Sequence, residues 1–145
     1  MGTVISLTNP GESARRLKVM LVEDNPEDVF LTRKVLRHRQ LDQDLMVAED
    51  GLQALEALKK LAEEGSRLPD LILLDINLPV MGGLEFLQML KDDSRFTPIP
   101  VVILTGSNIN GDIQRSYDLG ARTYLVKPIR IQDLALAVND LFPEN

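Results

Sequence analysis

Five short apolar runs, each followed by a helical pattern, alternate along the whole chain, and this rhythm constrains the fold more than any other feature of the sequence. "LKVMLV" (Leu17 to Val22), "DLMVAED", "DLILLD", "PIPVVILT" (Pro98 to Thr105) and "RTYLVKP" read as strands. Strand-helix alternation of this kind predicts a parallel sheet with helices on both faces, because each crossover must return to the same edge with the same hand. The run Leu71 to Leu74 has no polar alternation at all, as expected of a strand covered on both sides.

The helices carry their own start and stop signals. Asn25 is placed as an N-cap with Pro26 at the first helical position, and Glu27 and Asp28 suit the positive end of the helix dipole. Gly51 opens a second helix to about Glu64, with Leu52, Leu55, Leu58 and Ala62 spaced to face a core. Gly82 and Gly83 lead into a third, through Leu84, Leu87, Met89 and Leu90. "NINGDIQRSYDLG" is a short polar helix with few core positions beyond Ile113 and Tyr117, stopped at Gly120. Arg130 to Phe142 form the last helix, with Ile131, Leu134, Ala135, Val138, Leu141 and Phe142 on one stripe. The sole histidine, His38, falls near the end of the first helix and reads as a surface residue. Residues 1–16 lack periodicity and read as a flexible arm; 17–142 form one domain, 143–145 a short tail, and no output domain follows.

Composition excludes several functions. At 145 residues the chain closes one proper core. Its formal charge of -6, with dispersed basic residues, argues against nucleic-acid binding, which needs a cationic surface. The absence of cysteine removes thiolate catalysis, disulfides and cysteine metal sites, and fits a cytoplasmic setting. No apolar run approaches the ~18 residues of a membrane span, and no secretory signal is visible.

The polar residues that interrupt this pattern fall at one place. Strand one ends in Glu23 and Asp24, strand three in Asp75, strand four in Thr105 and strand five in Lys127. Open α/β sheets bind ligands at this carboxyl edge, near the point where strand order reverses. Each residue taken singly has an ordinary explanation: a turn acid, an acidic loop, a surface lysine. Jointly they describe a pocket. Three converging carboxylates repel one another, and hard oxygen donors without histidine or cysteine suit Mg²⁺. A carboxylate, a metal, an ammonium and a hydroxyl around one point suit a phosphoryl group, and the carboxylate can itself be the nucleophile that becomes an aspartyl phosphate.

"VMLVEDNPED", "LILLDINLPVMGG", "VVILTGS" and "TYLVKP" together resemble a response-regulator receiver domain of two-component signalling, over about Leu17 to Phe142. Thr105 lies 30 residues beyond Asp75 and Lys127 a further 22 beyond Thr105, intervals that agree with that family. The resemblance implies a three-layer, doubly wound (βα)5 flavodoxin-like fold with strand order 2-1-3-4-5, all parallel. It makes Asp75 the phosphoacceptor, charged by a sensor histidine kinase. It makes Asp24 and Asp75 direct Mg²⁺ ligands, Glu23 a ligand through water, and Asn77 the donor of a backbone carbonyl to the metal, with Mn²⁺ or Ca²⁺ able to substitute. Thr105 becomes the switch hydroxyl, Tyr124 the aromatic that turns inward with it, and Lys127 the partner of the phosphoryl oxygens, joined to Pro128 by a cis bond. Gly106 departs from the alanine that many receivers carry; the expected effect is on rate.

Within the family, "LVEDNPED" followed by "DINLP" is most similar to stand-alone regulators paired with phytochrome-type histidine kinases. The resemblance also points to a homodimer through the fourth helix, fifth strand and fifth helix, where Arg115, Arg122 and Arg130 are mixed with Asp112, Asp118 and Asp133. Two other functions compete. An unphosphorylated pseudo-receiver scaffold shows losses among the acids or the lysine, and none is lost here. A haloacid-dehalogenase-type phosphatase also uses an aspartyl nucleophile, but it needs a second Asp where Asn77 stands and a cap insertion that is absent. The expected protein is therefore a switch and not a true enzyme.

Overall fold

The computed structural model describes residues 16–106 and 110–143, and ten elements lie among these described residues. The expected arm over 1–16 lies outside them except for Arg16, and so does the tail over 143–145 except for Pro143. The elements are β1 (Val19–Val22), α1 (Pro26–Arg37), β2 (Leu45–Ala48), α2 (Gly51–Glu63), β3 (Leu71–Asp75), α3 (Gly83–Lys91), β4 (Val101–Thr105), α4 (Asn110–Asp118), β5 (Thr123–Val126) and α5 (Ile131–Leu141). The sheet runs β2-β1-β3-β4-β5 with every neighbour parallel, which is the expected flavodoxin-like order.

Alternation of side chains sorts the strands into two cores. Met20, Val22, Ile72, Leu74 and Ile103 pack with Leu55, Leu58, Phe86 and Leu90 of α2 and α3. Val19, Leu21, Leu71, Leu73, Val102 and Leu104 pack on the other face with Leu36 of α1 and Leu134 and Val138 of α5. Strands β1, β3 and β4 are buried at every residue, while the edge strand β2 is only partly covered. That difference explains why the central strands read as unbroken apolar runs.

Strands begin later than the apolar runs suggest. Strand β4 starts at Val101, because Pro98 and Pro100 have no N–H to give; the Pro100 carbonyl still accepts from Ile72 N–H at 3.0 Å. Four expected core positions face outward. In α2 the buried stripe is Gly51, Ala54, Leu55 and Leu58, so Leu52, one residue off it, is 40% exposed. In α3 the stripe is Gly83, Phe86, Leu87 and Leu90, and Met89 stands outside it. In α5 the stripe is Leu134, Ala137 and Val138, and Ile131 at the first position is exposed. In α4 it is Ser116, not Tyr117, that is buried, its hydroxyl donating to Ile113 O at 2.7 Å.

Asn25 caps α1 as expected, its Oδ1 accepting from Glu27 and Asp28 N–H, with Pro26 at the first helical position. Gly120 ends the α4 region at φ 99°. Gly83 is required by close approach: its N–H donates to Ile76 O at 2.9 Å, and an added Cβ would lie 2.7 Å from Ile76 Cα and collide with Asp75 O. The start of α3 is thereby pressed against the loop that leaves Asp75. No helix among the described residues is long and apolar enough to cross a membrane.

Candidate functional site

Parallel register brings the strand ends side by side. Val22 pairs with Leu74, Asp75 with Leu104, and Thr105 with Val126, so the next residues of β1 and β5 reach the same edge. The chain crosses from β2, on one side of β1, to β3 on the other, so the crevice opens between the ends of β1 and β3. Glu23 and Asp24 sit on one lip and Asp75 on the other.

The acids do converge. Glu23, Asp24 and Asp75 each offer a carboxylate oxygen, and these atoms all lie within 4.8 Å of one another. Glu23 (1% exposed) and Asp75 (5%) are buried, whereas Asp24 faces solvent. Asn25 N–H donates to Glu23 Oε2 at 3.2 Å and Asn77 N–H to Asp75 Oδ1 at 3.3 Å, so backbone donors orient both buried carboxylates. Asn77 itself is exposed.

Lys127 reaches into this cluster from beyond β5. Its Nζ donates to Glu23 Oε1 at 2.5 Å and to Asp28 Oδ2 at 3.0 Å, and stands 3.3 Å from Asp75 Oδ2. Burial disfavours its ammonium, but the hydrogen bonds it donates to Glu23 and Asp28 and the charge of Asp75 together outweigh that and hold its pKa above the usual lysine value. Glu23 is pushed up: burial raises it first, Lys127 pulls it down, and the charge of Asp75 adds to the rise. One ammonium shared among several carboxylates does not fully compensate the most deeply buried of them. The Lys127-Pro128 bond is cis.

Thr105 is buried at the end of β4, beside Gly106, where an added Cβ would meet nothing within 4 Å. Alanine would therefore fit at Gly106, and its departure from the common pattern relaxes no contact. Tyr124 is half-buried against the α2–α3 core and meets Tyr117 edge to face, with ring centroids 6.5 Å apart and planes at 78°. The expected residues Glu23, Asp24, Asp75 and Lys127 thus form one cluster, with Asn77 bonded to its Asp75 and Thr105 at the neighbouring strand end.

Asp28 is the member that sequence reasoning missed. The helix dipole alone accounts for an acid at this position, yet its carboxylate also holds Lys127. The available signal was its place in the first turn of the helix that follows Glu23 and Asp24 directly, which keeps it near the same edge.

The donor set fits a divalent cation: three carboxylates, no nitrogen or sulfur, at a helix-capped sheet edge. A doubly wound sheet with this acid pocket at its switch point defines a class of α/β signalling domains, and the match to known proteins is specific. Residues 19–139 match the response regulator receiver domain, and the chain belongs to that family, whose members act as signalling switches. It is 40% identical over 117 residues to response regulator Rcp1 of Synechocystis sp., spanning 80% of each protein. The crystal structure of the Mn(2+)-bound form of Rcp1 superposes with a TM-score of 0.70 at 34% identity, over 87% of this chain and 94% of that one. The phosphorylated cyanobacterial phytochrome response regulator RcpA superposes at 0.73 and 35% identity, over 88% and 91%.

Proposed function

We propose that this receiver is a phosphorylatable switch: Asp75 takes a phosphoryl group from the phosphohistidine of a sensor kinase, and the signal leaves through protein contacts. The observation that carries this reading is the placement of Asp75, buried beside an ammonium at 3.3 Å and two further acids at the sheet's switch point.

In the transfer, an Asp75 carboxylate oxygen attacks phosphorus, the phosphorus–nitrogen bond of the donor breaks, and the imidazole leaves with its electron pair and is protonated. Asp24 and Asp75 would hold Mg²⁺ directly, Glu23 would do so through water, and Asn77 would offer its backbone carbonyl. When bound there, the cation would neutralise charge among the acids and on the group being transferred. Lys127 neutralises the charge that phosphorylation adds, and the Thr105 hydroxyl donates to the phosphoryl group while Tyr124 turns inward behind it. Thr105 and Tyr124 are close enough in the sheet for this, since Ile103 pairs with Tyr124 and Thr105 with the Val126 two residues on.

The kinase is of phytochrome type, in keeping with the likeness to RcpA, and the setting is cytoplasmic. The contact surface is the face of α4, β5 and α5, used to form a homodimer. Its mixed charges are accompanied by exposed Val126 and Leu136, which border a cleft of ≈ 530 Å³ lined also by Tyr124, Asp133 and Asp140. A surface bearing both signs of charge and an apolar strip can complement itself across a two-fold axis.

Incubation with acetyl phosphate, with and without Mg²⁺, followed by intact mass measurement tests the reading. One phosphoryl group is expected, and only with the metal.

A further inference from the structure

The structure assigns to Asp28 the task of holding Lys127 beside the phosphoacceptor, as a positioning residue that neither binds the metal nor touches the phosphoryl group. This inference rests on the reading of Asp75 as the acceptor.

The local geometry of α1 makes Asp28 available for this. It occupies the third helical position, from which an acidic side chain ordinarily reaches back to the N–H of the N-cap residue. That N–H, from Asn25, is already given to Glu23 Oε2 at 3.2 Å. The backbone N–H of Asp28 is in turn satisfied by Asn25 Oδ1. The carboxylate is left without its usual helical partner, in the first turn where the dipole favours its charge. It turns to Lys127 Nζ at 3.0 Å, across 99 residues of chain.

The ammonium has three donors. Two hydrogen bonds go to Glu23 and Asp28, while Asp75 is an ion-pair neighbour at the longer distance of 3.3 Å. One donor therefore remains for oxygens carried by Asp75. The two anchors are not equivalent. Glu23 belongs to the acid triad whose oxygens converge within 4.8 Å, and Asp28 does not. Any cation held by that triad draws on the charge of Glu23 and weakens its claim on Lys127. Asp28 is the anchor that persists, and it comes from the first turn of α1, a rigid support. The contact is also sheltered, the Lys127 and Asp28 side chains being 17% and 31% exposed.

The test is a double-mutant cycle on the full chain with Asp28→Asn, Lys127→Ala and both. Phosphorylation rate with acetyl phosphate and Mg²⁺ is read by intact mass, and Mg²⁺ affinity is titrated separately. Asparagine keeps the shape at position 28, and Asn25 and Glu27 keep the helix start. Asp28→Asn is expected to slow phosphorylation roughly tenfold, the size of one hydrogen bond to a charged group, with Mg²⁺ affinity unchanged. In the Lys127→Ala background the same change is expected to add nothing. An unaltered rate, an equal loss in both backgrounds, or a parallel fall in Mg²⁺ affinity would overturn the assignment. A second readout needs no phosphoryl transfer. In the unmodified protein, the Lys127 ammonium protons are expected to exchange slowly by NMR and to lose that protection in Asp28→Asn. Equal exchange in both proteins would overturn the positioning role. A wild-type protein that takes no phosphoryl group would instead overturn the function proposed for Asp75.

Discussion

The Lys127 backbone N–H donates to the Thr105 carbonyl at 2.8 Å, so the residues proposed to grip the phosphoryl group from two sides are tied together at one rung of the sheet. Through this tie, movement at Thr105 is expected to reach the end of β5. Thr105→Ala is expected to accept a phosphoryl group but to switch poorly, because the hydroxyl that would follow the phosphoryl oxygens is gone. Amide NMR shifts between Ile109 and Gly120 measure this. Phosphorylation should shift them strongly in wild type and weakly in the variant; equal shifts would contradict the coupling.

Metal binding separates the acids. Mg²⁺ should raise thermal stability of the wild type with the logarithm of its concentration above Kd, as a ligand of the folded state does. Asp24→Ala should abolish that rise. Glu23→Ala should weaken binding less, if Glu23 acts through water, although it also removes the closest partner of Lys127. Calorimetric titration of the three proteins gives the order of affinities; undiminished binding by the Asp24 variant would refute the ligand set.

The Lys127 ammonium carries a definite pH signature. Its folded pKa lies above the ordinary 10.5. A base shifted upward adds stability that is complete below its unfolded pKa and is lost as pH rises through the folded one. Lys127→Met should destabilise the protein by about 2 kcal/mol at neutral pH, less than for a fully buried pair because the site is partly solvated. The gap between variant and wild type in denaturant unfolding should then narrow as pH climbs past 10.5. A gap independent of pH would show that Lys127 acts through packing alone.

Assembly is tested on α5. Leu136 is 69% exposed on the proposed dimer face. Leu136→Asp should shift light-scattering mass toward the monomer, while added salt should weaken the contribution of Arg115, Arg122 and Arg130, whose pairs are screened over ~8 Å at physiological strength. A monomeric wild type at high concentration, with or without a phosphoryl mimic, would remove the dimer.

Much of this molecule was legible in its sequence because the central strands are buried on both faces, so Leu71 to Leu74 could be nothing but interior. The ends of those strands then marked the residues that the structure gathers into one cluster. What was not legible depended on three-dimensional angles. Leu52 and Met89 look like core positions by spacing, yet lie one residue outside stripes whose anchors include small residues such as Gly51 and Ala54. Ser116 carries no apolar signal, yet it is buried, with its hydroxyl satisfied by Ile113 O within its own helix. Nothing in "NLPVMGG" marks Val80 for the left-handed conformation it adopts at φ 65°, unfavourable for a β-branched residue and imposed by the tight turn between Asp75 and α3. Asp28 was hidden by having a sufficient local explanation, the helix dipole, when its partner lies at the far end of the chain.

The central claim is that Asp75 itself receives the phosphoryl group. Wild type and Asp75→Asn, equally folded by circular dichroism since amide and carboxylate are nearly the same shape, are incubated with acetyl phosphate and Mg²⁺ and weighed by mass spectrometry. The account expects one phosphoryl group on the wild type, mapped to the peptide containing Asp75, and none on the variant. Equal incorporation by both proteins would contradict it.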